Sequence, residues 1–154
     1  MEGTFRINGR HELLEFSERA TLLQVLRDNG HQEVKEGCAE GQCGSCLVLL
    51  DGRLVNSCQV FAAAAVNREI TTVQGLGTIH APHAIQEALV EVGAVQCGFC
   101  TPGMVMAAYY LLRHHPDPSE KEIRRALDGN LCRCTGYTKI IEGIRLAARR
   151  MRQA

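Results

Sequence analysis

Residues Asn130–Gly136 read NLCRCTG, with only Arg133 between Cys132 and Cys134. A disulfide across a single residue is badly strained, because the two Cα atoms cannot take their usual separation while the sulfur torsion stays relaxed. Two thiols this close suit a shared metal centre whose other ligands lie elsewhere. Upstream, VQCGFC over residues 95–100 supplies a second pair, Cys97 and Cys100. Helical periodicity surrounds both segments. Ile85, Ala88, Leu89 and Val92 recur at helical spacing between Pro82 and Gly93. Thr101-Pro102 opens a second helix, with proline where its missing N–H does no harm. Ser119 and Glu122 form a capping box for a third, with Ile123, Ala126 and Leu127 on its apolar face and Gly129 as its stop. Ile140, Ile141, Ile144, Ala147 and Ala148 define a fourth. Four helices with short connections predict a small bundle, with CGFC between the first two and CRC between the last two.

The first half predicts a compact α+β unit. Thr4–Ile7 and Glu12–Phe16 read as strands around the hairpin turn Asn8-Gly9. Thr21 caps a helix, Gln24 stands at the reciprocal capping position, and Gly30 follows the helix end. The segment EGCAEGQCGSC, residues 36–46, is too rich in glycine for regular structure. CLVLLDGRLVNSC then gives two strands around Asp51-Gly52, and Glu69–Val73 is a last strand. A junction is expected at Gly75–Ala81, dividing the chain into domains 1–75 and 76–154.

Eight cysteines in 154 residues fall into two fours, one in each half. In a secreted chain they would suggest four disulfides; in a reducing cytosol such tight spacing points to metal. MEGTFRINGR lacks the apolar block of a secretory signal, which predicts a cytoplasmic protein, and no apolar run approaches a membrane span. Zero formal net charge argues against nucleic acid as the main partner. The charge is uneven, with seven Lys/Arg against ten Asp/Glu in residues 1–75 and ten against seven in residues 76–154. The halves are chemically dissimilar.

Cys38-x4-Cys43-x2-Cys46, followed by Cys58, has the plant-type spacing of a [2Fe–2S] cluster, with a shorter gap to the last ligand. Four thiolates and two sulfides around two ferric ions leave a net charge of roughly −2, which calls for nearby N–H dipoles. Gly37, Gly41 and Gly44 allow the backbone to wrap closely and aim its amides at the sulfurs. The set Cys97, Cys100, Cys132 and Cys134 is less decisive. Its spacing favours iron–sulfur but also suits zinc, which accepts four thiolates. Two classes of protein therefore stay open on the residues alone. One is a redox subunit; the other is a binding module, either a stand-alone ferredoxin or a zinc-stabilised adaptor. No residue pattern suggests a substrate pocket or an acid–base pair.

KEGCAEGQCGSC, VQCGFCTPGM and LCRCTGY together resemble the iron–sulfur subunit of the molybdenum hydroxylases, the family of xanthine dehydrogenase, aldehyde oxidase and carbon monoxide dehydrogenase. The likeness runs from about Thr4 to Arg150. It implies an α+β fold, with an N-terminal ferredoxin-like β-grasp domain followed by a C-terminal four-helix-bundle [2Fe–2S] domain. It implies two [2Fe–2S] clusters here, and molybdopterin and FAD on a large and a medium partner subunit of a hetero-oligomer. By position, Gln96 and Cys134 would face the pterin. Electrons would then pass to the cluster of Cys97, Cys100, Cys132 and Cys134, next to that of Cys38, Cys43, Cys46 and Cys58, and on to flavin. Because the sequence stops at Ala154, where fused relatives continue into a flavin domain, separate subunits are expected. The holoenzyme would hydroxylate a purine such as xanthine, another N-heterocycle or an aldehyde. Two stretches depart from the pattern. Asn67-Arg68 stands where relatives often have glycine, and DNGHQEVKEGC differs ahead of the first ligand.

The remaining residues carry ordinary expectations. His114 and His115 should complement a helix dipole, and His80 and His83 should serve capping or subunit contact. Met104 and Met106 should pack inside a helix bundle. Tyr137 should lie over the second cluster. Arg145, Arg149, Arg150 and Arg152 should form a solvated basic helix end. Gln96 has an alternative role as a loop-bracing amide.

Overall fold

The computed structural model describes residues 1–153. Two two-residue turns organise the first half. Asn8 and Gly9 take φ of 50° and 80°, and Asp51 and Gly52 take 48° and 76°. Positive φ at both central positions gives the turn whose twist matches paired strands. Each turn therefore closes a tight antiparallel hairpin, β1 (Glu2–Ile7) with β2 (Arg10–Glu15) and β3 (Leu47–Leu50) with β4 (Arg53–Asn56). β5 (Glu69–Thr71) lies between the hairpins, parallel to β1 and antiparallel to β3, giving the order β2-β1-β5-β3-β4.

Four strand limits differ from expectation, one of them the end of β2 at Glu15 rather than Phe16. β1 begins earlier, and β2 starts directly after Gly9, because Ile7 already pairs with Arg10 across the turn. β5 stops at Thr71 because the Asn8 side chain captures the next residue. Its Oδ1 accepts the Thr72 N–H at 2.8 Å and its Nδ2 donates to Thr72 Oγ1 at 2.9 Å.

α1 (Leu22–Asp28) lies on one face of the sheet, started by the expected reciprocal cap of Thr21 and Gln24. Its four buried residues pack on Phe5, Ile7, Val48, Leu50 and Ile70. Side chains alternate along a strand, so Leu47 and Leu49 of β3 point the opposite way. That face is covered too. The helices α2 (Ala84–Glu91), α3 (Thr101–His114), α4 (Glu120–Ala126) and α5 (Thr138–Gln153) enclose a second core, and Leu47, Leu54, Val73 and Leu76 pack against it. The result is a mixed α/β chain with one five-stranded sheet and five α-helices among the described residues.

The Ser119–Glu122 capping box forms as expected. α4 ends at Ala126, ahead of the expected stop at Gly129, although Leu127 remains buried. Met104 and Met106 are buried in α3. Three of the four C-terminal arginines are more than solvated charge: Arg150 pairs with Glu91 at 2.6 Å, Arg145 with Glu120 at 3.8 Å, and Arg152 with Asp117. Asn67 adopts φ of 61°, the left-handed turn a glycine would otherwise take.

Candidate metal centres

The loop of Cys38 and Cys43 turns its amides inward. Backbone N–H groups of Glu40 and Gln42 donate to Cys38 Sγ at 3.3 Å, and that of Cys43 at 3.4 Å. These N–H groups, led by that of Glu40, bring the Cys38 thiol down to about 7 against a smaller effect of burial. A Cβ on Gly37 would meet Ser45 Oγ at 2.6 Å and Cys43 Sγ at 2.7 Å, so only glycine lets the chain fold this closely on the sulfurs. Ser45 Oγ is 2.8 Å from Cys43 Sγ, and Gln59 Nε2 donates to Cys58 Sγ at 3.4 Å. Cys46 and Cys58 are buried in the first core. Burial pushes the Cys46 thiol up to about 11, with Cys58 beside it.

In the second half, CGFC follows α2 and leads into α3, while CRC joins α4 to α5. Cys134 Sγ lies 3.6 Å from Cys97 Sγ, and both residues are exposed. Cys100 and Cys132 lie deeper and face each other. Burial, reinforced by Cys132, pushes the Cys100 thiol up to about 12. Burial works against ionisation of Cys132 as well, but the Thr135 hydroxyl, 3.1 Å from its Sγ, and the N–H groups of Cys134 and Thr135 outweigh it and lower the thiol. Tyr137 does not simply cover this loop. At φ of 69°, its hydroxyl donates to the Asn130 carbonyl at 2.8 Å and accepts the Cys132 N–H at 3.0 Å.

The thiols thus interact in twos: Cys38 with Cys43, Cys46 with Cys58, Cys97 with Cys134, and Cys100 with Cys132. A binuclear cluster takes two thiolates at each iron, so this donor set fits [2Fe–2S] better than one zinc ion. Each half presents one such set, lined with N–H or hydroxyl donors to sulfur. Metal binding at Cys46 and Cys100 would displace their protons and so couple assembly to metal.

Two further residues singled out in the sequence are Gln96 and His83. Gln96 is exposed beside Cys97. His83 is the N-cap of α2, its Nδ1 accepting the Ile85 N–H at 3.2 Å, and half-burial lowers its pKa. Sequence reasoning missed Asn130, whose buried amide donates to the Gly44 carbonyl. Its partner is 86 residues away, so no local pattern announces it.

Residues 5–75 match the profile of the 2Fe-2S iron-sulfur cluster binding domain, and residues 72–145 match that of the [2Fe-2S] binding domain. The small FeS subunit of nicotinate dehydrogenase from Eubacterium barkeri is 43% identical over 145 residues, covering 94% of this chain and 92% of that protein. Xanthine dehydrogenase of Emericella nidulans is 42% identical over 149 residues; these cover 90% of this chain but only 11% of that longer protein. A chain in the crystal structure of quinoline 2-oxidoreductase from Pseudomonas putida 86 superposes with a TM-score of 0.94 at 39% identity. The match spans 100% of this chain and 97% of that one. Two matched cluster domains, two sets of paired thiols and near full-length likeness to a small FeS subunit lead to one assignment: the chain belongs to the iron–sulfur subunit family of the molybdenum hydroxylases, as an electron-transfer subunit with two [2Fe–2S] clusters.

Proposed function

We propose that Cys38, Cys43, Cys46 and Cys58 hold one cluster and that Cys97, Cys100, Cys132 and Cys134 hold the other. The domains, on this reading, are a ferredoxin-like β-grasp unit over residues 1–75 and a helical unit over residues 76–154. The observation that carries the reading is the pairing of thiols within each half. When bound, each cluster supplies one-electron storage.

The two sets differ in access. Cys97 and Cys134 are exposed, and Val95, Phe99 and Leu131, neighbours of ligands in the sequence, expose apolar side chains. This face suits a large molybdopterin-binding subunit, with Gln96 and Cys134 toward the pterin. An amide both donates and accepts, so Gln96 matches the polar edge of a pterin. The Cys38 loop, also open to solvent, suits delivery to FAD on a medium subunit. The holoenzyme hydroxylates a carbon of an N-heterocycle, a purine among the choices. The names of relatives support that class: nicotinate dehydrogenase, nicotine 6-hydroxylase and xanthine dehydrogenase. A cytoplasmic location fits eight free thiols. No helix among the described residues is long and apolar enough to cross a membrane.

Rapid mixing of the assembled enzyme with a heterocyclic substrate tests the order. The Cys97 set is expected to be reduced before the Cys38 set. Reduction of the Cys38 set first, at normal speed, would reverse the assignment.

A further inference from the structure

Three segments bearing proposed ligands meet at one point. The Leu131 N–H donates to the Cys43 carbonyl at 2.9 Å, so one hydrogen bond joins a ligand of the first set to the residue preceding Cys132. Beside it, Asn130 Nδ2 donates to the Gly44 carbonyl at 3.3 Å. The first turn of α3 closes the third side, since a Cβ on Gly103 would strike that same Gly44 carbonyl. Gly44, at φ of 70°, has no room for a Cβ either, because the Gly129 carbonyl and Asn130 Nδ2 occupy the space. Backbone meets backbone here, with the Asn130 amide set into the junction.

Asn130 is only 3% exposed and is one of the few buried polar residues. Burying an amide is costly unless it is hydrogen-bonded, and an apolar side chain would fill the volume without that demand. What the amide adds is direction. It fixes the Gly44–Ser45 peptide, next in the chain to the peptide whose Cys43 carbonyl accepts from Leu131, in one orientation against residues 130–132. Its own carbonyl is tied by Tyr137 and its N–H by Leu127, at 2.8 Å in each case, so the donor is held from both sides. Electron tunnelling is much more efficient along bonds and a short hydrogen bond than across a gap, and its rate falls steeply as a gap opens.

We propose that Asn130 is a positioning residue for electron transfer between the two clusters, holding the Cys43 carbonyl on the Leu131 N–H as the bridge between them. The proposal rests on the ligand assignment above. The step moves one electron: the cluster of the Cys97 set is oxidised and that of the Cys38 set is reduced, with no bond broken and no proton required. The reductant is the substrate of the assembled enzyme.

The test uses the assembled enzyme with Asn130→Ala and with Asn130→Asp, which keeps the volume but removes the donor. Iron content, the separate paramagnetic resonance signals and both midpoint potentials are expected to stay as in the unsubstituted enzyme. The magnetic interaction between the two reduced clusters should weaken, and electron equilibration between them should slow severalfold. Reduction of the nearer cluster by substrate should not change. Unaltered equilibration with both clusters present would overturn the proposal. So would loss of a cluster in both variants, since a residue that only positions must leave both centres in place. Failure of the underlying ligand assignment would look different, because the unsubstituted enzyme would then lack two resolved cluster signals.

Discussion

The hydroxyl of Tyr137 accepts the backbone N–H of Cys132 at 3.0 Å while donating to the Asn130 carbonyl at 2.8 Å, so one phenol sets the shape of the CRC loop. Tyr137→Phe keeps the ring and removes both bonds. Losing half-buried hydrogen bonds of this kind should lower stability by about 1–2 kcal/mol. The second cluster should also be released faster than the first when the protein is challenged with an iron chelator. Denaturant titration and the time course of iron loss measure the two effects, and equal loss from both clusters would contradict this role.

Gln59 donates to Cys58 Sγ at 3.4 Å. Donors to sulfur favour the more negative, reduced cluster, so Gln59→Ala should move the first cluster's midpoint potential to a more negative value. The second cluster, with its own donor at Thr135, should not move. A redox titration followed by paramagnetic resonance separates them, and a shift of both potentials would count against this assignment.

His83 caps α2 through an unprotonated Nδ1 and has a pKa lowered by burial. The unfolded chain therefore binds the proton more readily than the folded one. The cap's contribution is complete above the unfolded value of about 6.5 and is lost as pH falls through the lower folded value. Loss of such a cap costs about 0.5–2 kcal/mol. Thermal melts at pH 8 and pH 5.5 should show a drop that His83→Asn, a capping residue without this titration, reduces. An identical pH dependence in both proteins would contradict the cap's role.

Gly103 sets two effects against each other. Alanine favours a helix interior by up to about 1 kcal/mol over glycine. Its Cβ, however, would strike the Gly44 carbonyl, a backbone atom that cannot rotate away. Overpacking of this kind costs about 1–3 kcal/mol, so Gly103→Ala should be net destabilising. Chemical denaturation decides the sign, and a stabilised variant would show that the two halves do not pack here.

The parts that could be read from the sequence are those whose partners lie close along the chain. The Thr21–Gln24 and Ser119–Glu122 caps each span three residues, and both hairpins announce themselves at Asn8-Gly9 and Asp51-Gly52. Cysteine spacing likewise reports the two thiol sets. The run Leu47–Leu50 was legible as a strand, yet nothing local said that α3 would cover its second face. The end of β5 depends on Asn8, distant in the chain. The Asn130–Gly44 contact depends on the docking of one half on the other, and its amide looks like any turn asparagine until that packing is known. Tyr137 was legible as a neighbour of the second centre, but its left-handed backbone and paired hydrogen bonds were not.

The most direct test of two independent clusters, each held by one half, is iron and sulfide analysis with paramagnetic resonance of the reduced protein, before and after single ligand substitutions. The intact protein should hold about four irons and four acid-labile sulfides and give two distinct signals. Cys43→Ser should remove or distort one signal and Cys100→Ser the other, each leaving its counterpart largely intact. Stoichiometric zinc without a visible chromophore, or loss of both signals from either folded single variant, would contradict the account.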